Sequence, residues 1–317
     1  MLRLGLENGL VVAGFGRHVL VETPNGERLI CHPRGKKSSV VVGDKIQWLA
    51  SKDEGTIEKI EPRKNLFYRQ DEVRTKSFAA NLDQVLILVA AEPEFSENQL
   101  ARALIAAEAE HIKPIVALNK SDLTEPFARA WARLQPYRDM GYELISLALK
   151  PKSEIPDFKA EISAEIPQND LLTRVLEGKT TLVLGPSGSG KSTLINTLLP
   201  NAKVLTQEIS QALNSGKHTT TSTTWYWLDD AKTTALIDSP GFQEFGLKHI
   251  DAMHLASYMP DFKVHVPECK FYNCTHLHEP GCGVINSMKL ASSQHKISLE
   301  RYRIYSSLFA ELSDKRY

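Results

Sequence analysis

Residues 180–193 read TTLVLGPSGSGKST, and this stretch decides the fold. An apolar, β-prone run ends at Leu184, and the pattern G-x-x-x-x-G-K-[ST] follows at once from Gly185 to Ser192. Glycines let backbone N–H groups turn inward on phosphates, and the start of a helix adds a favourable dipole. We therefore predict a phosphate-binding loop in an α/β domain, with Lys191 at the β and γ phosphates and Ser192 on Mg²⁺. The loop also contains Pro186, Ser187, Gly188, Ser189 and Gly190.

A second motif indicates which base is bound. Asn119, Lys120, Ser121 and Asp122 follow an apolar strand pattern at 114–118 and match N-K-x-D. A carboxylate at Asp122 would accept hydrogen bonds from the guanine N1–H and 2-amino groups, and adenine offers neither. Taken alone, these residues could also form a helix N-cap turn; next to a phosphate loop they predict GTP. Ser146 is a candidate for a backbone-mediated guanine contact, or a plain strand end.

The metal side of the site is expected after the phosphate loop. Asp238 and Gly241 belong to the sequence D-S-P-G, which follows an apolar run and matches D-x-x-G. The carboxylate would lie on the Mg²⁺ side, and the glycine would sense the γ phosphate. The segment 216–221, GKHTTT, is polar and loop-like. One of its threonines should close over Mg²⁺, and we choose Thr220.

Phe242 stands where many GTPases place a glutamine that orients water. A phenyl ring cannot orient water, so another group or a partner must complete the site. His218 is the candidate, because an imidazole donates or accepts a hydrogen bond near neutral pH. The alternative is that His218 is only a loop residue.

The chain changes rhythm near residue 80. Before it, short β-prone runs at 10–13, 17–22, 28–31, 40–42, 45–49 and 55–60 predict a small barrel, OB-like or SH3-like. After it, strands at 84–90, 114–118, 143–146, 180–184, 224–228 and 234–237 alternate with helices at 97–110, 126–140, 170–177 and 191–199, which predicts a mostly parallel sheet. The guanine motif precedes the phosphate loop, so we expect the nucleotide domain to be circularly permuted relative to the usual order of motifs in GTPases.

Three of the four cysteines lie close together near the C-terminus. With one histidine they form the pattern C-x4-C-x-H-x5-C: Cys269, Cys274, His276 and Cys282. Three thiolates and one imidazole suit a closed, tetrahedral, structural zinc site. Unmetallated cysteines in a loop are the alternative, and His278 is a possible rival to His276.

The composition is that of a globular protein, with 42% hydrophobic and 24% charged residues and no apolar run near the ~20 residues that cross a bilayer. We therefore expect a cytoplasmic protein. The formal net charge is zero, so contact with RNA would need local patches. Basic side chains concentrate on the barrel and the last helix: Arg17, His18, Arg28, Arg34, Lys36, Lys37, Lys296, Arg301 and Arg303.

Together the motifs N-K-S-D, G-P-S-G-S-G-K-S-T, G-K-H-T-T-T, D-S-P-G-F and C-x4-C-x-H-x5-C resemble, in this order, the RsgA (YjeQ/YloQ) family of small ribosomal subunit biogenesis GTPases. The resemblance spans nearly the whole chain. It implies an OB-fold barrel at 1–75, a circularly permuted P-loop GTPase domain at 76–242, and a zinc-binding, mostly helical domain at 243–317. Pro186 is a mild departure, since the family commonly has a polar residue there.

The resemblance also implies a function and its residues. A GTPase of this kind binds the small (30S) subunit and its rRNA late in assembly, is stimulated by it, and hydrolyses GTP to GDP. Asn119, Lys120 and Asp122 would read guanine, residues 185–193, including Thr193, would bind phosphates and Mg²⁺, and His218 would be catalytic. We expect a monomer without membrane attachment.

Two other functions stay open at this point. The chain could be a nucleotide-gated RNA- or ribosome-binding module in which hydrolysis is incidental. It could also be a P-loop ATPase or small-molecule kinase, although N-K-S-D argues against this. We further hypothesise that GTP hydrolysis repositions the C-terminal domain, because the chain passes from D-S-P-G-F directly into it.

Overall fold

The computed structural model describes residues 5–15, 17–35, 40–51, 54–149, 168–199, 223–240, 242, 245–289 and 296–314. The first five strands are β1 (Glu7–Phe15), β2 (His18–Glu22), β3 (Arg28–Pro33), β4 (Lys45–Ala50) and β5 (Gly55–Ile60). Strand β1 pairs with both β2 and β4, so the order β1-β2-β3-β5-β4 closes on itself. This closed five-stranded barrel has the OB-fold order, which decides between the two barrels that the strand pattern left open.

The strand expected at 40–42 is wrong, because the described residues there form a turn. The Asp44 carboxylate accepts a hydrogen bond from the Val41 N–H at 2.8 Å, which closes the turn. Gly43 has a φ of +89° and packs so tightly that a Cβ would lie 2.2 Å from the Ala80 carbonyl oxygen. Only glycine combines that backbone angle with that approach, so the chain turns instead of extending.

A separate antiparallel hairpin joins the barrel to the rest of the chain. It consists of β6 (Leu66–Gln70) and β7 (Thr75–Ala80), neither of which is among the strands expected from sequence. Asp71 closes its turn by accepting hydrogen bonds from the N–H groups of Val73 and Arg74. The domain boundary proposed at residue 75 falls at the first residue of β7.

The middle of the chain forms the predicted α/β sheet. Its strands are β8 (Gln84–Ala90), β9 (Lys113–Asn119), β10 (Glu143–Ser146), β11 (Thr180–Leu184), β12 (Thr224–Trp227) and β13 (Ala235–Asp238). They lie in the order β10-β9-β8-β11-β13-β12, and all neighbours are parallel except β12 and β13. Every residue of β8 is buried, as its continuous apolar run predicts for a central parallel strand.

Helices cover both faces of this sheet. They are α1 (Glu97–Ala109), α2 (Thr124–Arg133), α3 (Gln135–Asp139), α4 (Gln168–Leu176) and α5 (Lys191–Leu198). The single helix expected at 126–140 is two helices, because Pro136 has no N–H to continue the first one and sits instead in the first turn of α3. Gly178 follows α4 with a φ of +64°, the left-handed conformation that commonly ends a helix.

The barrel and the sheet are continuous. Ala13 of β1 pairs with Thr224 of β12, so that eleven strands form one sheet. Beside this junction Glu22 is buried and accepts hydrogen bonds from Trp227 at 2.9 Å, Lys232 at 2.7 Å and Arg28 at 2.9 Å. A barrel carboxylate therefore binds the turn region that follows β12.

The C-terminal region is mostly helical. It contains 3₁₀ helices at Ala252–Tyr258 and Val266–Glu268, and α6 (Pro260–Lys263), α7 (Gly283–Ser287) and α8 (Leu299–Ser313). Arg301 of α8 is buried, forms a bidentate ion pair with Asp261, and lies 5.3 Å from the Tyr137 ring of α3. The region thus packs directly on the α/β domain. No described helix has the length and apolar content needed to span a membrane.

Candidate nucleotide-binding site and metal centre

The phosphate loop connects β11 to α5, as predicted. Gly188 and Gly190 have φ angles of +81° and +98°, which side-chain-bearing residues rarely adopt. Gly185 approaches β8 so closely that a Cβ would lie 2.6 Å from the Leu88 carbonyl oxygen. These glycines shape a tight loop at the carboxyl ends of the parallel strands, where α/β sheets bind ligands.

The guanine motif lies against this loop. Asn119, at the end of β9, is buried; its Nδ2 donates to the Ser189 carbonyl oxygen at 2.9 Å, and its Oδ1 accepts from the Leu149 N–H at 3.0 Å. A Cβ at Gly190 would meet the Asn119 amide nitrogen at 2.3 Å. Lys120 follows with a φ of +69°, which turns the chain away from the strand. One side chain thus joins both motifs and the segment after β10.

A cavity of about 610 Å³ opens over the two motifs. Its lining comes from the guanine motif, most of the phosphate loop, and the segments after β10 and β13. The lining residues are Asn119, Lys120, Leu149, Gly185, Pro186, Ser187, Gly188, Gly190, Lys191, Ser192, Thr193, Pro240 and Phe242. This volume and composition suit a nucleotide. The structure therefore brings the two motifs together at one cavity, although they are far apart in the chain.

Some predicted residues do not line this cavity. Among the described residues, Ser121, Asp122, Ser146, Ser189 and Asp238 are not part of its lining. Asp122 is exposed, and Ser146 pairs with Leu118 of the neighbouring strand. Their contacts with guanine stay predictions.

Leu149 and Pro240 line the cavity without having been predicted as site residues. Leu149 has no motif of its own, so only its pairing with Asn119 reveals it. Pro240 lies inside D-S-P-G, and that motif could have pointed to it.

Lys191 and Asp238 form an ion pair across the site. Lys191 is the first residue of α5, and Asp238 is the last residue of β13, the strand beside β11. The motif pattern expects these two groups on the triphosphate and on the Mg²⁺ side, respectively. Their pairing shows that the two motifs face each other across the site.

Five of the residues predicted to act in catalysis, in nucleotide binding or in RNA contact lie outside the described residues: His218, Thr220, Gly241, Lys36 and Lys37.

Phe242, by contrast, is described. It is buried, and its ring centroid lies 6.2 Å from that of Phe245. It therefore packs as an apolar residue, and its aromatic character excludes a role in orienting water.

The four predicted zinc ligands converge. The ligand atoms of Cys269, Cys274, His276 and Cys282 all lie within 4.8 Å of one another. The Sγ atoms of Cys269 and Cys282 are 3.9 Å apart, and they lie 3.5 Å and 3.4 Å from the His276 Nδ1. A tetrahedron with metal–sulfur bonds of about 2.3 Å and a metal–nitrogen bond of about 2.0 Å has edges of about 3.5–3.8 Å. The three distances among Cys269, Cys282 and His276 are therefore close to the edges of a tetrahedral metal site of this size.

Neighbouring side chains hold the cluster in shape. The hydroxyl groups of Tyr302 and Tyr305 on α8 donate to the carbonyl oxygens of His276 and Thr275, both at 2.9 Å. Burial by itself would raise the pKa of Glu279, but hydrogen bonds from Thr275 and nearby backbone N–H groups lower it to about 2. Hydrogen bonds therefore fix the ligand loop to the last helix.

The expected RNA-contacting set needs one correction. Arg301 is 3% exposed and paired with Asp261, so it holds α8 in place and is not a surface contact. Arg28 pairs with the buried Glu22, whereas Arg34 is 75% exposed even though it contacts Glu58. Helical spacing alone could not tell an inward-facing arginine from an outward-facing one.

Comparisons with known proteins agree with this geometry. Residues 60–248 match the model of the family described as RsgA GTPase. The chain is 67% identical over 312 residues to the small ribosomal subunit biogenesis GTPase RsgA of Variovorax paradoxus, which covers 98% of this chain and 94% of that protein. It is 47% identical to the protein of the same name from Paraburkholderia phytofirmans, with 96% and 93% covered.

Two solved structures are also similar. The crystal structure of YjeQ from Thermotoga maritima superposes with a TM-score of 0.70 at 27% identity and covers 98% of this chain and 100% of that one. The structure of YloQ, a circularly permuted GTPase, has a TM-score of 0.68 at 24% identity, with 99% and 98% covered. The second likeness concerns the fold alone.

Proposed function

This chain belongs to the RsgA GTPase family, and from that premise we propose that it hydrolyses GTP to GDP and phosphate during late maturation of the small ribosomal subunit. In this proposal it binds the subunit in its GTP state, and the subunit stimulates hydrolysis. The observation that carries the nucleotide part is the hydrogen bond between Asn119 and the Ser189 carbonyl oxygen, which joins the guanine motif to the phosphate loop. The likeness to two proteins named for subunit biogenesis supports the rest.

We assign guanine recognition to the first motif. Asp122 accepts hydrogen bonds from guanine, and Asn119 and Lys120 form the base-side wall of the cavity. Ser121 and Ser146 complete this end, the latter through its backbone. The Asn119 contacts to Ser189 and Leu149 support this assignment, because they hold the base side at a fixed distance from the phosphate loop.

The phosphate end is assigned to the second and third motifs. The backbone of residues 185–190 and the side chain of Lys191 bind the β and γ phosphates. Thr193 would bind the phosphates as well. Ser192 and Thr220 would hold Mg²⁺, with Asp238 on the same side, and a bound Mg²⁺ would supply charge neutralisation at the phosphates. The ion pair between Lys191 and Asp238 supports this arrangement.

His218 is the proposed catalytic residue. It would orient the attacking water, since Phe242 cannot. Gly241 would sense the γ phosphate through its backbone N–H.

The cysteine cluster is proposed to hold one structural zinc ion. Its three thiolates and one imidazole are the donor set that zinc prefers, and the distances between them support that metal. With four protein ligands no position is left for water. These residues would therefore fold the C-terminal region rather than take part in hydrolysis.

The proposed partner is the small subunit and its rRNA. A cytoplasmic location and a monomeric state are part of the same proposal. Exposed basic groups on the barrel, such as Arg34, would neutralise RNA phosphates.

Multiple-turnover GTP hydrolysis, measured with and without purified small subunits, tests the proposal. We expect subunits to raise kcat, and GTP but not ATP to compete for the site. Hydrolysis that subunits do not stimulate would favour a nucleotide-gated binding module instead. Equal competition by ATP would favour an ATPase or kinase. A His218→Ala variant that keeps wild-type kcat would remove that residue from the mechanism.

A further inference from the structure

The hairpin β6–β7 grips the segment that follows Asp238 at two points. On one side Lys76 of β7 donates from Nζ to the Pro240 carbonyl oxygen at 2.7 Å. On the other, the Gln70 N–H donates to the Gly246 carbonyl oxygen at 3.0 Å, and the Gln70 carbonyl oxygen accepts from the Lys248 N–H at 2.9 Å. The hairpin therefore contacts the chain just after β13 and again a few residues further on.

The contacts at Lys76 are specific. Its ammonium group lies 5.4 Å from the centroid of the Phe78 ring, on the same strand. The Phe78 ring stacks on Phe245 at 5.8 Å with an interplanar angle of 4°, and Phe67 lies 5.7 Å from both rings. Burial, followed by the charge of Arg69, lowers the pKa of Lys76, so the group is partly withdrawn from water. A partly desolvated ammonium gains more from a carbonyl acceptor than an exposed one does.

The acceptor belongs to a residue that lines the candidate nucleotide cavity. Pro240 and Phe242 both line the cavity. By sequence, the Pro240 carbonyl belongs to the peptide that leads into the glycine of D-x-x-G. A peptide unit is planar, so a hydrogen bond that fixes its oxygen restricts the rotation of the whole unit.

We propose that Lys76 is a positioning residue for the γ-phosphate side of the nucleotide site. It acts through the Pro240 carbonyl and does not touch the nucleotide. This inference rests on the proposed GTPase function and assigns a part of it to the hairpin, outside the sequence motifs. It predicts that Lys76 affects binding of the triphosphate much more than binding of the diphosphate.

The experiment compares Lys76→Met with the wild type and with Lys113→Met. Lys113 pairs with Glu143 on the exposed surface, at the end of β9 opposite the site, and serves as the matched control. Affinities for GDP and for a non-hydrolysable GTP analogue are measured by titration with fluorescent nucleotides, and kcat and KM by steady-state hydrolysis. We expect Lys76→Met to weaken the GTP analogue about tenfold, as loss of a charge-assisted hydrogen bond predicts, with GDP changed less than about twofold.

Two further variants of Lys76 are measured in the same way. Lys76→Arg retains N–H donors and should recover most of the discrimination between the nucleotides. Lys76→Gln, measured in the same way, replaces the methionine variant if that protein does not fold. Equal weakening of GDP and the GTP analogue, or an unchanged ratio, would overturn the role of Lys76. Failure of the wild-type protein to bind or hydrolyse GTP would instead overturn the proposed function.

Discussion

Asn119 donates a hydrogen bond from its side-chain amide to the Ser189 carbonyl oxygen at 2.9 Å, although 70 positions separate the two residues. The same amide group accepts from the Leu149 N–H. Three chain segments therefore meet at one buried side chain. This contact sets the distance between the base end and the phosphate end of the cavity. Sequence proximity cannot set that distance, because the two motifs lie far apart in the permuted chain.

Asn119→Ala should disturb both ends of the site. The Ser189 carbonyl and the Leu149 N–H would lose their partner, which predicts a fall of about 1–3 kcal/mol in the free energy of unfolding. Affinities for GTP and GDP should fall together, by roughly tenfold or more. Denaturant titration and nucleotide titration measure the two effects, with the exposed barrel residue Asn8 changed to Ala as control. An Asn119→Ala protein with wild-type affinity for both nucleotides would refute this role.

Asp122→Asn should change the base that is bound. The carboxylate is expected to accept two hydrogen bonds from guanine, and an amide would instead present a donor to the 2-oxo group of xanthine. We expect GTP affinity to fall by roughly a hundredfold and xanthosine triphosphate affinity to rise. Competition titrations with both nucleotides measure this, and Asp139→Asn, an exposed change on α3, should have no effect. Unaltered preference for GTP in Asp122→Asn would show that this carboxylate does not read the base.

Removal of the metal should unfold the C-terminal region. Purified protein should contain one equivalent of zinc, measured by elemental analysis, and Cys274→Ser should lose it and unfold at a lower temperature. Cys31 is buried in the barrel, so Cys31→Ser should keep its zinc. If chelation removes the metal without lowering the unfolding temperature, the cluster is not structural.

Asp261→Ala tests the anchor of the last helix. It leaves the Arg301 guanidinium buried without its carboxylate partner, which predicts a loss of about 3–5 kcal/mol in the free energy of unfolding. The exposed pair of Glu300 and Arg303 on the same helix provides the comparison, and Glu300→Ala should cost under about 1 kcal/mol. Similar losses in the two variants would mean that the buried pair contributes little.

Glu22 should make the junction of barrel and sheet sensitive to acid. Burial by itself raises its pKa, but hydrogen bonds from Lys232, Trp227 and Arg28 outweigh burial and hold the pKa below the ordinary value of 4.5. The unfolded chain then binds the proton more tightly, so the contribution of Glu22 is fully present above pH 4.5 and is lost as the pH falls through the lowered value.

The corresponding variant is Glu22→Gln, studied by denaturant unfolding between pH 7 and acidic pH. We expect it to be less stable than the wild type near neutral pH, with the difference shrinking below pH 4.5. A difference that stays constant across this range would show that the ionised carboxylate is not the source of stability.

The sequence by itself determined those features whose signals lie within a few adjacent residues. The phosphate loop from Gly185 to Ser192, the alternating strands and helices, and the cysteine spacing from Cys269 to Cys282 are of this kind, because backbone angles and ligand geometry depend on near neighbours in the chain. Even the permutation follows from the order of two short motifs. The family and the three-part architecture could be predicted from these features.

Tertiary structure alone decided which distant groups meet. In the folded chain Arg301 points inward and pairs with Asp261, and Leu149 lines the cavity. The unpredicted hairpin contacts the segment after Asp238. None of these contacts has a local signature in the sequence. An arginine on an amphipathic helix gives the same sequence pattern whether its partner is water or a carboxylate 40 positions away, and a lysine on a strand likewise gives no sign of its partner. The partner of such a side chain is determined only when the chain folds, because burial then removes water as the competing hydrogen-bond partner.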